Sequence, residues 1–373
     1  MEANEEQEQD HTELVLGREI VRWNPLRPQP DGSSARVDNF GDLLGPLIAQ
    51  RILWLNNVSP SVADSRRLLT VGSILHFARA GDVVWGSGVN GKVPGRKVGS
   101  TKLDVRLLRG PRTRAHLDNM GAKAPRLFGD PALLLPTLFP ESRAWTAAKT
   151  RDVLVVPNLN DQNLFNNELP VISPRNDIWM VVRAIAQSKF IVASSLHALI
   201  LADALGIPSR AVKPDAEHHT KYMDYYEGTG RTRVQLARTY NEALDLGPTV
   251  MGTYDVEGIY NSFPIDLWCK DTEESNANTA VPPVDEWKDI ENNVADWESY
   301  SGDPTDDVLP ALLRRCLRTA LEAGADATSL LPAARSLIER IPFQSLAPRL
   351  TADEKILLEE LTSTSNPQQP ISS

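Results

Sequence analysis

The chain has 373 residues, of which 41% are apolar and 24% charged, ordinary globular usage that excludes fibrous and wholly disordered classes. Its 39 Lys and Arg against 49 Asp and Glu leave a formal net charge of −10, which disfavours nucleic-acid or membrane-surface binding, so any anionic ligand must be held by a local basic pocket. Two cysteines, Cys269 and Cys316, cannot build a disulfide framework or a tetrathiolate metal site, and a reduced, cytoplasmic setting is the simplest expectation.

Residues 1–13 are acidic where a secretory peptide would be basic and then apolar, and they read as a solvated tail. Glu13 to Trp23 carries the alternation of a first strand. The Pro/Gly/Ser stretch Asn24 to Ser34 then breaks regular structure before a helix that begins near Asp42. Ser73 to Leu75, Asp82 to Trp85 and Asp104 to Leu108 read as strands, Arg112 to Met120 as a helix, and Arg126 to Phe128 as another short strand. The pattern restarts with Asp152 to Val156 as a strand, Trp179 to Ala186 as a helix, Phe190 to Ala193 as a strand, Leu196 to Leu205 as a helix and Ser209 to Val212 as a strand. Phe190 to Ile207 is the most apolar window, but Ser194, Ser195, His197 and Asp203 interrupt it, so it reads as a buried strand running into a buried helix rather than a membrane span.

Strand and helix alternate twice, which predicts an α/β protein of two halves, residues 14–147 and 148–270. Gln235 to Asp245 reads as a helix. Residues 271–307 turn acidic and poor in aliphatics, a linker with Trp287 and Trp297 as its anchors. Helical spacing returns at Val308 to Ala323, Pro332 to Arg340 and Ala352 to Leu361, a helical extension (308–362) suited to packing or dimerising, before a polar tail, 363–373. In such folds ligands sit beyond the carboxyl ends of the strands.

Several segments carry candidate chemistry at those ends. Asn39-Phe40-Gly41-Asp42 opens a helix: Gly41 permits close backbone approach and Asp42 either caps the helix or projects into a cleft. Gly86, Ser87, Gly88 and Gly91 follow a strand, where small residues let ligand atoms reach backbone N–H groups, although both the Walker lysine and the dinucleotide spacing are missing. Arg109, Arg112 and Arg114 make a local anion site, with Arg109, nearest the strand end, expected to face the cleft. Ser194 or Ser195 caps the next helix and His197 falls in its first turn, where exposed N–H groups attract anions; His197 is either a satisfied core group or a catalyst. His218 and His219 are adjacent, but no Cys or Glu stands at ligand spacing, which argues against a metal. Lys221 suits a phosphate, and Tyr222, Tyr225 and Tyr226 either stack on a sugar or fill the core.

Taken in order, NFGD (39–42), DVVWGSG (82–88), RGPRTR (109–114), GDPALLLP (129–136), ISP (172–174), SSLHALILADALGIP (194–208) and KYMDYY (221–226) resemble the polysaccharide pyruvyl transferase family, particularly the members that decorate bacterial exopolysaccharides such as succinoglycan. The resemblance spans roughly residues 39–227. It implies two Rossmann-like domains in a B-type glycosyltransferase-like arrangement, with extra C-terminal helices that it does not explain. It also implies phosphoenolpyruvate as donor and transfer of its pyruvyl group, as a ketal, onto two hydroxyls of a sugar in a lipid-linked or oligomeric glycan. His197 falls on the family's catalytic histidine, and its donor contacts fall on Arg109 and Lys221. Asn39, Gly41, Asp42, Gly86, Ser87, Gly88, Arg112, Ser194 and Ser195 are the substrate-binding candidates. No cofactor or metal is expected, and no nucleic acid; attachment to the inner membrane face would be peripheral, through the acceptor. Two other readings stand beside this one: a glycosyltransferase using a nucleotide sugar, and a non-catalytic glycan-binding assembly protein.

Overall fold

The computed structural model describes residues 12–28, 33–56, 58, 65–91, 98–161, 169–214 and 218–269. The expected linker, helical extension and terminal tails lie outside the described residues, except for residues 12 and 13 of the first.

The chain opens with β1 (Thr12–Val15) and β2 (Arg18–Val21), an antiparallel hairpin where the sequence predicts one strand. Leu16 (φ 46°) and Gly17 (φ 79°) turn it over, and the left-handed backbone of a tight hairpin turn is the feature that strand periodicity alone does not register. A second small hairpin follows, β3 (Leu26–Pro28) with β4 (Ser34–Arg36). The helix α1 (Phe40–Leu55) starts at Asn39, whose side chain accepts from the N–H groups of Gly41 and Asp42.

A five-stranded sheet is completed by β5 (Leu68–Leu69), β6 (Val83–Trp85) and β7 (Asp104–Leu107), in the order β1-β2-β5-β6-β7. From β2 onward the pairs are parallel. The third strand is Leu68–Leu69, not Ser73 to Leu75, which forms a bend running into a 3-10 turn at Leu75–Phe77. Segment 71–74 is therefore the loop at the carboxyl end of β5. Helix α2 (Pro111–Asn119) follows β7 with proline in its first turn, and Phe128 adds one parallel bridge beside Leu108. The turn Pro131–Leu134 and the short helices α3 (Leu135–Leu138) and α4 (Glu141–Ala144) lead to the second half.

There β8 (Arg151–Val156), α5 (Ile178–Ala186), β9 (Ser188–Ala193), α6 (Leu196–Ala204) and β10 (Ser209–Ala211) form a three-stranded, wholly parallel sheet in the order β10-β9-β8. The mixed α/β architecture with parallel sheets matches the expectation from alternating patterns. Helix α6 is buried almost all round, Ala198 to Asp203 included, which is why its sequence is apolar without a polar stripe. Then come α7 (Thr220–Gly228), α8 (Tyr240–Leu246) and α9 (Val256–Asn261). The α8 helix starts five residues later than Gln235, because Ala237 is used in a bridge to Val212 and Thr239 is the cap.

After α9 the chain returns to the first sheet. Trp268 Nε1 donates to the Val15 carbonyl at 2.9 Å, Arg18 Nε to that of Leu267 at 2.7 Å, and Trp85 Nε1 to that of Ile259 at 3.1 Å. Three buried donors are thereby satisfied across more than 170 residues of chain. No described helix is long and apolar enough to cross a membrane.

Candidate functional site

Parallel strands end on one edge, and their loops collect there. In the first sheet this edge holds Thr70 to Ile74, Gly86 to Gly91, Leu108 to Gly110 and Gly129 to Asp130; in the second it holds Pro157, Asn158, Ser194, Ser195 and Lys213. Three helix starts converge on it: α1, α6 and α7.

The start of α6 is built by its serines. Ser195 is the cap, its hydroxyl accepting from Ala198 N–H at 3.4 Å, while Ser194 Oγ accepts from Asn158 N–H at 3.1 Å and from Tyr240 OH at 3.2 Å. The two roles left open by the sequence are thus divided: Ser195 caps the helix and Ser194 ties β9 to the end of β8. His197 follows on the first turn, half-buried. It abuts Gly41 so closely that a β-carbon there would collide with the imidazole at Nδ1. Glycine at position 41 is therefore what lets α1 meet the ring. Asp42, 7% exposed, is bonded by Asn39 Nδ2, and the Pro174 carbonyl accepts from Phe40 N–H at 2.9 Å, so the segment of Ile172 to Pro174 closes over the same helix tip.

Tyr222 OH donates to the Ser194 carbonyl at 2.5 Å, which docks the first turn of α7 against the start of α6; Lys221 precedes Tyr222 on that turn. Lys221 Nζ lies 5.2 Å from the centroid of the Tyr222 ring. The tyrosines themselves are core. Tyr222, Tyr225 and Tyr226 are at most 1% exposed. Tyr225 OH donates to Asp203 Oδ2 at 2.6 Å, and Arg231 pairs with the same carboxylate while lying over both rings. A sugar-stacking role for them is excluded by this packing. Burial together with the Asp203 charge pushes the Tyr225 hydroxyl well above its ordinary pKa.

Arg109 differs from its expected exposure. It is wholly buried (0%), and each of its nitrogens is occupied: Nε donates to Asp224 Oδ2 at 3.0 Å, Nη1 to Ser73 Oγ at 2.5 Å and Nη2 to the Val89 carbonyl at 3.0 Å. Its counter-ion Asp224, also 0% exposed, accepts from Thr113 N–H at 2.9 Å and from Thr113 Oγ1 at 2.6 Å. Arg109 thus binds the loops after β5 and β6 to α7, and Gly88 is glycine because a β-carbon there would strike the guanidinium. Ser87 is committed similarly, donating to the Gly72 carbonyl at 3.1 Å and accepting from Ile74 N–H at 3.3 Å. Gly86 (φ 93°) turns tightly against Pro131. Arg112 forms a bidentate pair with Glu227, at 3.0 and 2.6 Å, which raises its pKa. Arg114 bonds the Ala124 carbonyl and Asp118.

Asn39, Gly41, Asp42, Ser194, Ser195, His197 and Lys221 are thus brought to one region, while Arg109, Ser87, Gly86 and Gly88 form the wall that shapes it. Two residues carry weight that the sequence did not signal. Asp224 was hidden inside an aromatic run. Asp130, 0% exposed, has one oxygen bonded by Ala132 N–H at 2.9 Å and the other with no partner among the described residues; desolvation lifts its pKa to about 6 against the opposing pull of that N–H and of Arg109. No group of three or more His, Cys, Asp or Glu placed to hold a metal ion occurs among the described residues.

Comparison with known proteins bears on the same edge. Residues 58–215 match the family model of polysaccharide pyruvyl transferase, so the resemblance carried by the motifs is shown. The chain is also 31% identical over 210 residues to the succinoglycan biosynthesis protein ExoV of Rhizobium meliloti (strain 1021), covering 52% of this chain and 62% of the relative. The alignment therefore spans less than two thirds of the relative's length.

Proposed function

We propose, from the match of residues 58–215 to the polysaccharide pyruvyl transferase family, that this chain transfers a pyruvyl group to a polysaccharide or its precursor. The donor in this proposal is phosphoenolpyruvate, and the product is a pyruvate ketal on two hydroxyls of one sugar. The two parallel sheets correspond, in the same proposal, to two Rossmann-like halves arranged as in B-type glycosyltransferases.

The observation that carries the reading is His197 on the first turn of α6, against the tip of α1 and beside the first turn of α7 with Lys221. Phosphoenolpyruvate bears a phosphate of about −1.5 to −2 plus a carboxylate, so it needs cations and backbone N–H groups gathered in one place. Lys221 and the starts of the helices supply these. Arg109, read from the sequence as a donor contact, acts here by fixing Ser73 and Val89, the residues of the surrounding loops. Protonation of the methylene carbon gives an oxocarbenium-like centre, a sugar hydroxyl adds to it, inorganic phosphate leaves with the C–O electron pair, and the second hydroxyl closes the ketal. His197 moves the proton, a role worth about 100- to 10,000-fold. Asp42, adjacent to Gly41, orients or deprotonates the acceptor.

His197→Ala should lower phosphate release from phosphoenolpyruvate in the presence of an oligosaccharide acceptor by at least about 100-fold, with circular dichroism unchanged. Full activity in the variant would remove His197 from the reaction. Thermal protection separates the donors: phosphoenolpyruvate should raise Tm, and a nucleotide sugar should not. The reverse pattern would favour the glycosyltransferase reading, and protection by glycans alone, without turnover, the assembly-protein reading.

A further inference from the structure

Asp130 is a buried ionisable group that the proposed reaction does not use, and it stands where the wall of the candidate site meets two of its helices. Gly129 N–H donates to the Leu108 carbonyl at 2.9 Å, one step beyond the parallel bridge of Leu108 and Phe128. Asp130 therefore leaves the first sheet alongside Arg109 and Gly110. Its Oδ1 accepts from Ala132 N–H at 2.9 Å and its carbonyl from Leu133 N–H at 2.9 Å, which starts the turn Pro131–Leu134. That turn packs on α1 and α6, the helices that meet through Gly41 and His197, and on α9. Its first residue, Pro131, lies against Gly86 of the wall.

The second oxygen of this carboxyl, Oδ2, has no partner among the described residues. Asp130 is 0% exposed and the residues of its turn, Pro131 to Leu134, are apolar and buried. Bulk water does not reach the group, so a charge on it must be matched by a charge nearby. The elements packed on the turn carry Asp42 and Arg51 (α1), His197 and Asp203 (α6) and Glu257 (α9). Asp42 is bonded by Asn39, Arg51 bonds the Leu138 carbonyl and lies over the Trp54 ring, Asp203 pairs with Arg231, and Glu257 is exposed. The positive charge that acts on Asp130 is that of Arg109, which is already paired with Asp224. One buried arginine thus stands against two buried carboxyls, and ionising both leaves this interior negative. An anion held at the starts of α1 and α6 meets that negative charge across the turn.

We propose that Asp130 takes up a proton from solvent when the anionic donor binds, so that the interior behind the ligand becomes neutral. The identity of the donor rests on the pyruvyl-transfer reading. The test uses the full chain, Asp130→Asn and Asp130→Ser, both of which keep a cap for the turn and lose the ionisable carboxyl. In calorimetric titration with phosphoenolpyruvate, wild type and variants should bind alike at pH 5, where a carboxyl with its pKa at about 6 is largely protonated. At pH 8 both variants should bind at least about tenfold more tightly than the wild type, the factor that a rise of one unit in the carboxyl's pKa on binding gives. Titration at pH 7 in buffers of different ionisation heat should show the wild type taking up about half a proton more than either variant. Ionisation of phosphoenolpyruvate itself is common to all three proteins and cancels. An affinity ratio that does not change with pH, or equal proton uptake in the three proteins, would overturn the proposal and leave the donor reading standing. Absence of binding to the wild type at millimolar phosphoenolpyruvate would retire the donor reading, and the proposal with it.

Discussion

At the scale of single residues, the candidate site is held by groups with no room to change. Gly41→Ala would press a methyl group into the His197 ring; overpacking of this kind costs about 1–3 kcal/mol, so the denaturation midpoint should fall, and phosphate release should fall further because the ring itself is displaced. Asp224→Ala would strand the Arg109 guanidinium in the interior, and breaking a buried pair costs about 3–5 kcal/mol. Arg109→Met/Asp224→Leu should lose less than the single variant, a non-additivity that urea denaturation measures directly. Asp130 works in the opposite direction. Its carboxyl is raised from 3.8 to about 6 in the fold, so the native state holds the proton more tightly than the unfolded chain does. Stability conferred by that proton is complete below pH 3.8 and declines as pH rises toward 6, after which the deficit is constant. At 1.36 kcal/mol per unit the deficit is about 3 kcal/mol. Asp130→Asn, which cannot ionise, should therefore gain stability over the wild type between pH 4 and 6 and keep that gain at pH 7 to 8; a gain independent of pH would show that the carboxyl of Asp130 has the same pKa in the folded and unfolded chain.

At the scale of elements, the chemistry depends on how helix starts are docked rather than on any one helix. The tip of α1 reaches α6 through Gly41 and is anchored to Pro174 by the Phe40 N–H. The first turn of α7 reaches α6 through Tyr222 OH. Tyr222→Phe removes that bond and leaves the Ser194 carbonyl unsatisfied, a change of about 1–3 kcal/mol. If the bond serves to place Lys221, KM for phosphoenolpyruvate should rise while kcat changes little; loss of stability with unchanged KM would make the bond structural only. These elements were legible in the sequence to different degrees. The strands Asp82 to Trp85, Asp104 to Leu108 and Asp152 to Val156 and the helices around Arg112, Trp179 and Leu196 showed clearly, because strand alternation, helical periodicity and caps are set by residues two to four positions apart. The hairpin at Leu16 and Gly17, the short β5 and the late start of α8 did not, because each is decided by a backbone turn or a distant bridge.

At the scale of the whole molecule, the net charge of −10 makes the starts of α1, α6 and α7, with their exposed N–H groups, the part of the structure best suited to an anion. The sequence alone determined the α/β class, the order of the motifs, the resemblance they carry to pyruvyl transferases and the position of His197 at a helix start, since all of these follow from neighbours close in the chain. Only the tertiary structure decided what each charged group does. Arg109 and Asp224 meet across 115 positions, and Gly41 meets His197 across two halves of the chain. Whether an arginine faces a ligand or a buried carboxylate depends on desolvation and on partners remote in sequence, and local pattern carries no record of either.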